Sequence, residues 1–332
     1  MGLKRVIVDL YIYTGTSGNY TSSDKKYTIQ REKLSTRSNI LIEISELVRD
    51  YITVNFNNDY SLGSSPTIWT TAVVNYFDEN DIAFTQNNPQ TFTYLAFDGY
   101  GEFEDGINPQ LSTNALITRD LIYLPENTAG KIPIFAEGVG KYVIGSTTTQ
   151  VTDSGNSNQK IQYITISSNN TDDVVIYATD DTTVVKTIKV NRVCEPKYTP
   201  IKCSFVNRFG AIDDVWFFKK STENFSVTDN TYNRNIIDAA NLSYSTNEGQ
   251  RERYNVNAKS SIVLNTGFVL EGFNSAIEEM FLSENVWLRF ENKTLSVIPK
   301  TKSFTFKTSV NDNVINHTVD FDFAFDKINN IR

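Results

Sequence analysis

Apolar and polar residues alternate with period two along most of the chain, and that alternation predicts strand after strand. Near the start, Val6, Val8, Leu10 and Ile12 interleave with Ile7, Asp9 and Tyr11 between Arg5 and Tyr13, the pattern of a strand partly buried on both faces. Lys26 to Arg31, Thr67 to Phe77 and Thr91 to Ala96 continue it. Shorter β-branched runs follow at Leu121 to Leu124, Lys131 to Phe135, Lys141 to Ile144, Ile161 to Ser167, Asp173 to Ala178 and Thr182 to Val190. Further strands are predicted at Ile201 to Val206, Asp214 to Lys219, Val286 to Phe290, Leu295 to Ile298 and Ser303 to Thr308.

The cleanest alternation is the last, Val314 to Asp326. Ile315, His317, Val319, Phe321, Phe323 and Phe325 share one face and alternate with Asn316, Thr318, Asp320, Asp322, Ala324 and Asp326, half of them acidic. The turn residues Asn311, Asp312 and Asn313 predict a hairpin that brings Ser303 to Thr308 beside it.

Two stretches switch to a helical period. Ser45 has the position of an N-cap for a helix from Glu46 to about Asn55, striped by Leu47, Val48, Tyr51 and Ile52. Ser275 and Glu278 have capping-box spacing at the start of a helix to Leu282, with Ile277, Met280 and Phe281 to one side. The fold class read from these elements is mainly β, a multi-domain set of β-sandwich or barrel-like modules with two short amphipathic helices.

Texture divides the chain in three. Residues 1–107 form a β-rich domain with one helix and end on a glycine-punctuated acidic loop. Residues 108–191 have short strands at regular spacing and long polar turns, the pattern of a small all-β domain inserted into the rest and projecting from it. Residues 192–332 form a second β-rich domain with one helix, entered through Pro196 and Pro200.

Composition narrows the function classes. With 21 Phe and 17 Tyr among 332 residues, the chain has material for real cores. A net charge of −8 argues against nucleic acid as the principal partner, since phosphate-binding surfaces concentrate Lys and Arg. No run approaches the ~20 apolar residues of a membrane span, and Met1 to Leu10 lacks the long apolar core of a signal peptide.

The poverty of reactive side chains matters more. One histidine, His317, and two cysteines, Cys194 and Cys203, are all the chain offers. General acid–base chemistry near neutral pH leans on imidazole, and zinc takes about four ligands. No Gly-x-Ser-x-Gly or His-Glu-x-x-His is present, and Gly138, Gly140 and Gly145 lack the dinucleotide-binding spacing. The chain therefore reads as a non-enzyme with no catalytic residues and no cofactor. His317 is expected in a core or interface, and both cysteines as buried thiols.

Two acidic features invite chemistry. Asp98, Glu102, Glu104 and Asp105 supply the oxygen ligands that calcium prefers, without the EF-hand order. The pairs Asp172-Asp173, Asp180-Asp181 and Asp213-Asp214 invite a glycosidase reading, which needs two carboxylates ~5 to 9.5 Å apart across a bond. Neighbours on a strand point to opposite faces, so solvated turns are the expected role.

Cys194 to Lys219 (CEPKYTPIKCSFVNRFGAIDDVWFFK) and Phe304 to Phe325 (FTFKTSVNDNVINHTVDFDFAF) resemble virion proteins of tailed phages that infect Bacteroidetes. Ile42 to Tyr51 and Tyr94 to Gly106 add to the likeness. The resemblance implies a structural component of the tail, tail tip, baseplate or neck, partnered by copies of itself in a ring and by other tail or neck proteins. It implies residence in the virion after synthesis in the bacterial host cytoplasm. A receptor- or glycan-binding tail module and a tail-associated polysaccharide hydrolase are the alternatives.

Overall fold

The computed structural model describes residues 2–107, 111, 113–301 and 315–328. The chain is mainly β, with four sheets and two short α-helices among the described residues. It divides into two compact units. Unit one takes residues 1–194, 204–215 and 272–285, and unit two takes 195–203, 216–271 and 286–332.

Unit one opens with a four-stranded antiparallel sheet. β1 (Leu3–Tyr13), β2 (Lys25–Glu32), β3 (Thr67–Asp78) and β4 (Gln90–Phe97) lie in the order β2-β1-β3-β4. The period-two pattern of β1 does what it predicts: Val6, Val8, Leu10 and Ile12 are buried while Ile7, Asp9 and Tyr11 are half-exposed. Val48 of α1 (Ser45–Arg49) closes over that face, with Ile40, Ile42 and Ile44 beside it.

α1 is five residues long and does not reach Asn55. The backbone tightens instead, Tyr51 N–H bonding Val48 C=O and Ile52 N–H bonding Arg49 C=O, three residues back. The cap position belongs to Ile44 rather than Ser45. Glu43 accounts for this, since its carboxylate accepts both the Ser45 hydroxyl (2.5 Å) and the Ser45 N–H (2.9 Å).

Two further sheets lie wholly within unit one. β5 (Leu121–Pro125), β6 (Gly130–Phe135), β7 (Val139–Ile144), β8 (Thr147–Gln150), β9 (Ile161–Ile166), β10 (Val174–Ala178) and β11 (Val184–Val193) supply them. Five form a sheet in the order β5-β11-β10-β7-β8, in which only β5 and β11 run parallel; β6 pairs with β9 alone.

The texture boundary at 107 is not a boundary between units. Asn158 accepts the Gly15 N–H (2.8 Å) and donates to the Thr67 carbonyl (2.5 Å), while Ser65 and Tyr163 share a hydrogen bond. The described part of the middle region is thus stitched to the first strands and shares their unit; Asn108 itself lies outside the described residues.

The remaining strands are β12 (Ile201–Val206), β13 (Ile212–Phe217), β14 (Thr222–Asn233), β15 (Arg251–Asn265), β16 (Val286–Phe290), β17 (Lys293–Pro299) and β18 (Thr318–Phe323). They give a seven-stranded sheet in the order β13-β12-β16-β17-β18-β15-β14, to which β12 and β13 contribute unit-two residues 201–203 and 216–217. Val319 and Phe321 of β18 face Leu264 and Ile262 of β15, and all four are buried. Phe217 stacks edge-on against Phe321, with ring centroids 5.9 Å apart.

The alternation from Ile315 holds through His317, Val319 and Phe321, then fails as Phe323 is half-buried and Phe325 exposed beyond the strand end. β18 takes β15 and β17 as its neighbours. The expected hairpin through Asn311, with Ser303 to Thr308, lies outside the described residues.

The second helix, α2 (Asn274–Leu282), belongs to unit one and matches its predicted span closely. Its capping box does not form: Phe273 takes the cap position, and the Ser275 hydroxyl donates to Gly272 C=O (3.4 Å). Ile277 and Met280 are fully buried, Phe281 is half-buried, and the carboxylate-bearing Glu279 is buried beside them.

Candidate assembly surface

The most exposed ordered structure in the chain is one on which sequence patterning placed no element, residues 222–257. β14 and β15 form an antiparallel ribbon in which Phe225 faces Ser260, Val227 faces Ala258 and Tyr232 faces Glu252. The base of the ribbon is held firmly, because Ala258, Ile262 and Leu264 of β15 are buried and Ser261 to Asn265 pair with β18. From there the ribbon runs out of the core. All twelve residues of β14 and the first five of β15 are exposed, as is nearly every residue of the connecting segment.

Local chemistry keeps the ribbon regular without a core beneath it. Tyr232 donates to Glu252 (2.6 Å) and meets the Tyr254 ring edge-on at 5.7 Å, and Arg253 pairs with Asp229. Arg234 N–H closes on Gln250 C=O (2.9 Å), and Asp238 N–H on Ser243 C=O (2.8 Å). Asn255 sits at positive φ (52°) where the pairing register shifts, the signature of a bulge that turns the arm.

The arm also displays apolar side chains. Phe225 is 62 % exposed and Leu242 is 82 % exposed, with Val227, Ile237 and Tyr244 also in solvent. Phe225 and Val227 lie on the same face as Ala258 and Ile262, so the stripe that is core at the base continues uncovered along the arm. A two-stranded ribbon is marginal in water on its own, and this one carries uncovered apolar side chains beside an open strand edge.

The residues singled out from sequence lie elsewhere and do not converge. Asp98 pairs with Arg49 (3.1 Å), whereas Glu102 and Asp105 pair with Arg208 (3.1 and 3.4 Å). Guanidinium groups therefore hold three of the four proposed calcium ligands, Glu104 being the fourth. Among the described residues no group of three or more His, Cys, Asp or Glu is arranged to hold a metal ion. Phe103, at the crest of that loop, is fully exposed.

His317 is buried, as its stripe implied; its N–H donates to the Thr266 hydroxyl (3.0 Å) and its carbonyl accepts the Thr266 N–H (2.9 Å). Cys203 is buried, but Cys194 is exposed, so only one of the two thiols matches expectation.

The acid pairs divide. Asp180 sits in a solvated turn, accepting Thr182 N–H (2.9 Å) and Thr183 N–H (2.8 Å), and the Thr183 hydroxyl with those amides holds its carboxyl below the usual range. Asp213 and Asp214 are not in a solvated turn. Arg119 grips Asp213 through both guanidinium nitrogens (2.5 and 2.8 Å) and also donates to the Asp214 carbonyl (2.8 Å). The Arg119 and Asp213 side chains are 3 % and 1 % exposed.

The Asp214 carboxylate accepts the Tyr60 hydroxyl (2.6 Å) and the Ser204 hydroxyl (2.6 Å). Burial, with that carboxylate adjacent, pushes the Tyr60 phenol far above its ordinary value. Both acids are thus committed to internal partners, a buried ion pair on Asp213 and two hydroxyls on Asp214.

Sequence reading missed Arg119, Tyr60 and Glu279, because a lone charged or phenolic residue carries no local sign of burial. Burial pushes the Glu279 carboxyl up, and the Asp213 charge adds to the effect; the Arg208 N–H points at it from 3.3 Å.

No helix among the described residues is long and apolar enough to cross a membrane. No protein-family model, curated protein or solved structure matches the chain.

Proposed function

We propose that this protein is a structural subunit of a tailed-phage virion, a self-assembling ring component of the tail, tail tip, baseplate or neck. The observation that carries the reading is the arm. Thr222 to Asn257 extend an ordered ribbon out of unit two with an uncovered apolar stripe and an open edge, an arrangement that gains stability by docking on another subunit. The virion setting rests on the resemblance of Cys194 to Lys219, which spans β12 and β13, and of the segment ending in β18. The internal commitment of Asp213 and Asp214 favours assembly over hydrolysis as the use of these strands.

The test replaces residues 222–257 with a flexible Gly/Ser linker of about eight residues, enough to bridge Ser221 to Ala258. The replacement removes no buried side chain. Sedimentation velocity should show the complete chain as a large oligomer, with ring outlines in electron micrographs, and the shortened chain as a folded monomer. Assembly that survives the replacement overturns this use of the arm. A complete chain that stays monomeric while binding host-surface glycans supports the receptor-binding alternative instead.

A further inference from the structure

We propose that the outer edge of β14 in one copy of the chain adds to the outer edge of β2 in a second copy, joining subunits head to tail through a continuous sheet. The inference rests on the self-assembling reading above and names the surface that receives the arm. Both strands end their sheets, so each presents a row of backbone donors and acceptors that no strand among the described residues pairs.

The charges on the two edges are complementary. β14 holds two acids, Glu223 and Asp229, with no cation, proline or glycine along its twelve residues. Asp229 is taken by Arg253, whereas Glu223 forms no ion pair among the described residues. β2 holds Lys25, Lys26, Arg31 and one acid, Glu32. Lys25 is taken by Asp9 (2.7 Å), whereas Lys26 and Arg31 form no ion pair among the described residues. Lys26 donates to the Ser23 carbonyl (3.1 Å) and lies over the Tyr51 ring, so the acid Glu223 on one edge meets Arg31 as the main cation on the other.

The alternative pairings are worse. Two β2 edges bring Lys26 and Arg31 of both copies together, and two β14 edges bring acid against acid, each a repulsion across the strand pair. Among the other sheet edges, β4, β8 and β9 carry no charge, β5 and most of β13 are buried, and β6 contains Pro133. β2 alone combines exposure and positive charge without a proline, its pairing with β1 slipping one residue at Lys26. Joining β14 to β2 uses two different surfaces, so it leaves a free β2 on one copy and a free β14 on the other. Such a contact propagates, into a ring where its rotation closes and into a filament where it does not.

The experiment uses the full chain and four forms of it: wild type, Lys26→Glu with Arg31→Glu, Glu223→Lys, and all three substitutions together. These side chains are exposed, and circular dichroism confirms the fold of each form. Sedimentation velocity across a concentration series should show each partial reversal weakening assembly about tenfold or more, with the triple variant recovering most of that loss. Hydrogen exchange on the wild type should show β2 and β14 amides gaining protection together as concentration rises.

Partial variants that assemble like wild type, or a triple variant that fails to recover, overturn the pairing. Protection gained on β14 without β2 overturns it too and points to another receiving surface. If the linker replacement abolishes assembly while the charge variants leave it intact, the arm reading stands and the β2 assignment falls. Assembly that survives the linker replacement, or a chain monomeric at every concentration, removes both.

Discussion

β1 and β14 are strands of almost equal length, eleven and twelve residues, placed in opposite circumstances. β1 lies between β2 and β3 and sinks Val6, Val8, Leu10 and Ile12 into a core roofed by Val48. β14 has a neighbour on one side only and buries nothing. Intrinsic preference does not separate them, since Phe225, Val227, Thr228, Thr231 and Tyr232 favour strands as much as the residues of β1 do. What differs is the layer above. β1 is completed by its own chain, and the apolar stripe of β14 has its layer supplied by another molecule on the proposed reading.

That contrast can be broken hardest where the chain is most self-sufficient. Arg119→Leu strands the Asp213 carboxylate in the interior, and urea unfolding should register a loss of about 3 to 5 kcal/mol. Pairing it with Asp213→Leu should return most of the loss, because the remaining site is then apolar on both sides. A small effect of the single change would mean that water reaches Asp213. Leu10→Ala should cost about 2 to 5 kcal/mol by opening a cavity under α1, read in the same unfolding experiment.

On the arm the ranking reverses. Phe225→Ser should alter the stability of the dissociated chain by no more than about 0.5 kcal/mol. The same change should weaken self-association about tenfold, equal to about 1.4 kcal/mol. A Phe225→Ser chain that unfolds early would place that ring in a core and erase the difference between the two strands.

The smallest expected effect is pH-dependent. The folded-state pKa of Glu279 is raised by burial, so its share of stability is full below its unfolded value near 4.5 and is lost as pH rises through the folded value. Glu279→Gln should therefore stabilise unit one increasingly above pH 4.5 and give no gain below it. Thermal melts from pH 4 to pH 8 read the slope, and a gain independent of pH would show that the carboxyl is solvated.

Strand positions were legible wherever one face met a core, because burial imposes period two on side-chain choice. β1, β12 and β16 lie close to their predicted spans for this reason. The arm was illegible for the same reason turned round. Its alternation of Thr, Ser and Asn with Phe225 and Val227 lacks a buried face to sharpen it, and its Asn and Ser residues resemble a loop. Its one readable signal was the β-favouring run from Phe225 to Tyr232 ahead of the turn-forming Asp238 and Asn241. The buried lock was hidden differently. Asp213 and Asp214 are neighbours in sequence, but their partners Arg119 and Tyr60 come from 94 and 154 residues away, a separation that no local pattern encodes. The acidic loop misled for a third reason, since carboxylates in sequence proximity suggest a cation without revealing that Arg49 and Arg208 supply it.

The three-segment build of unit one bears on how the ribosome delivers it. Asp213 lies 94 residues after Arg119, so at elongation speeds of ~5 to 20 residues per second it emerges roughly 5 to 20 s later. Until then the guanidinium lacks the carboxylate that permits its burial, and Glu279 and Phe273 on the last segment are further behind. The first 194 residues should consequently stay open on the ribosome while the arm is being made. Nascent chains stalled before residue 204 should be cut readily by protease around Arg119, and chains extended past residue 285 should resist, so that unit one closes after the arm is made and before β16, β17 and β18 complete unit two.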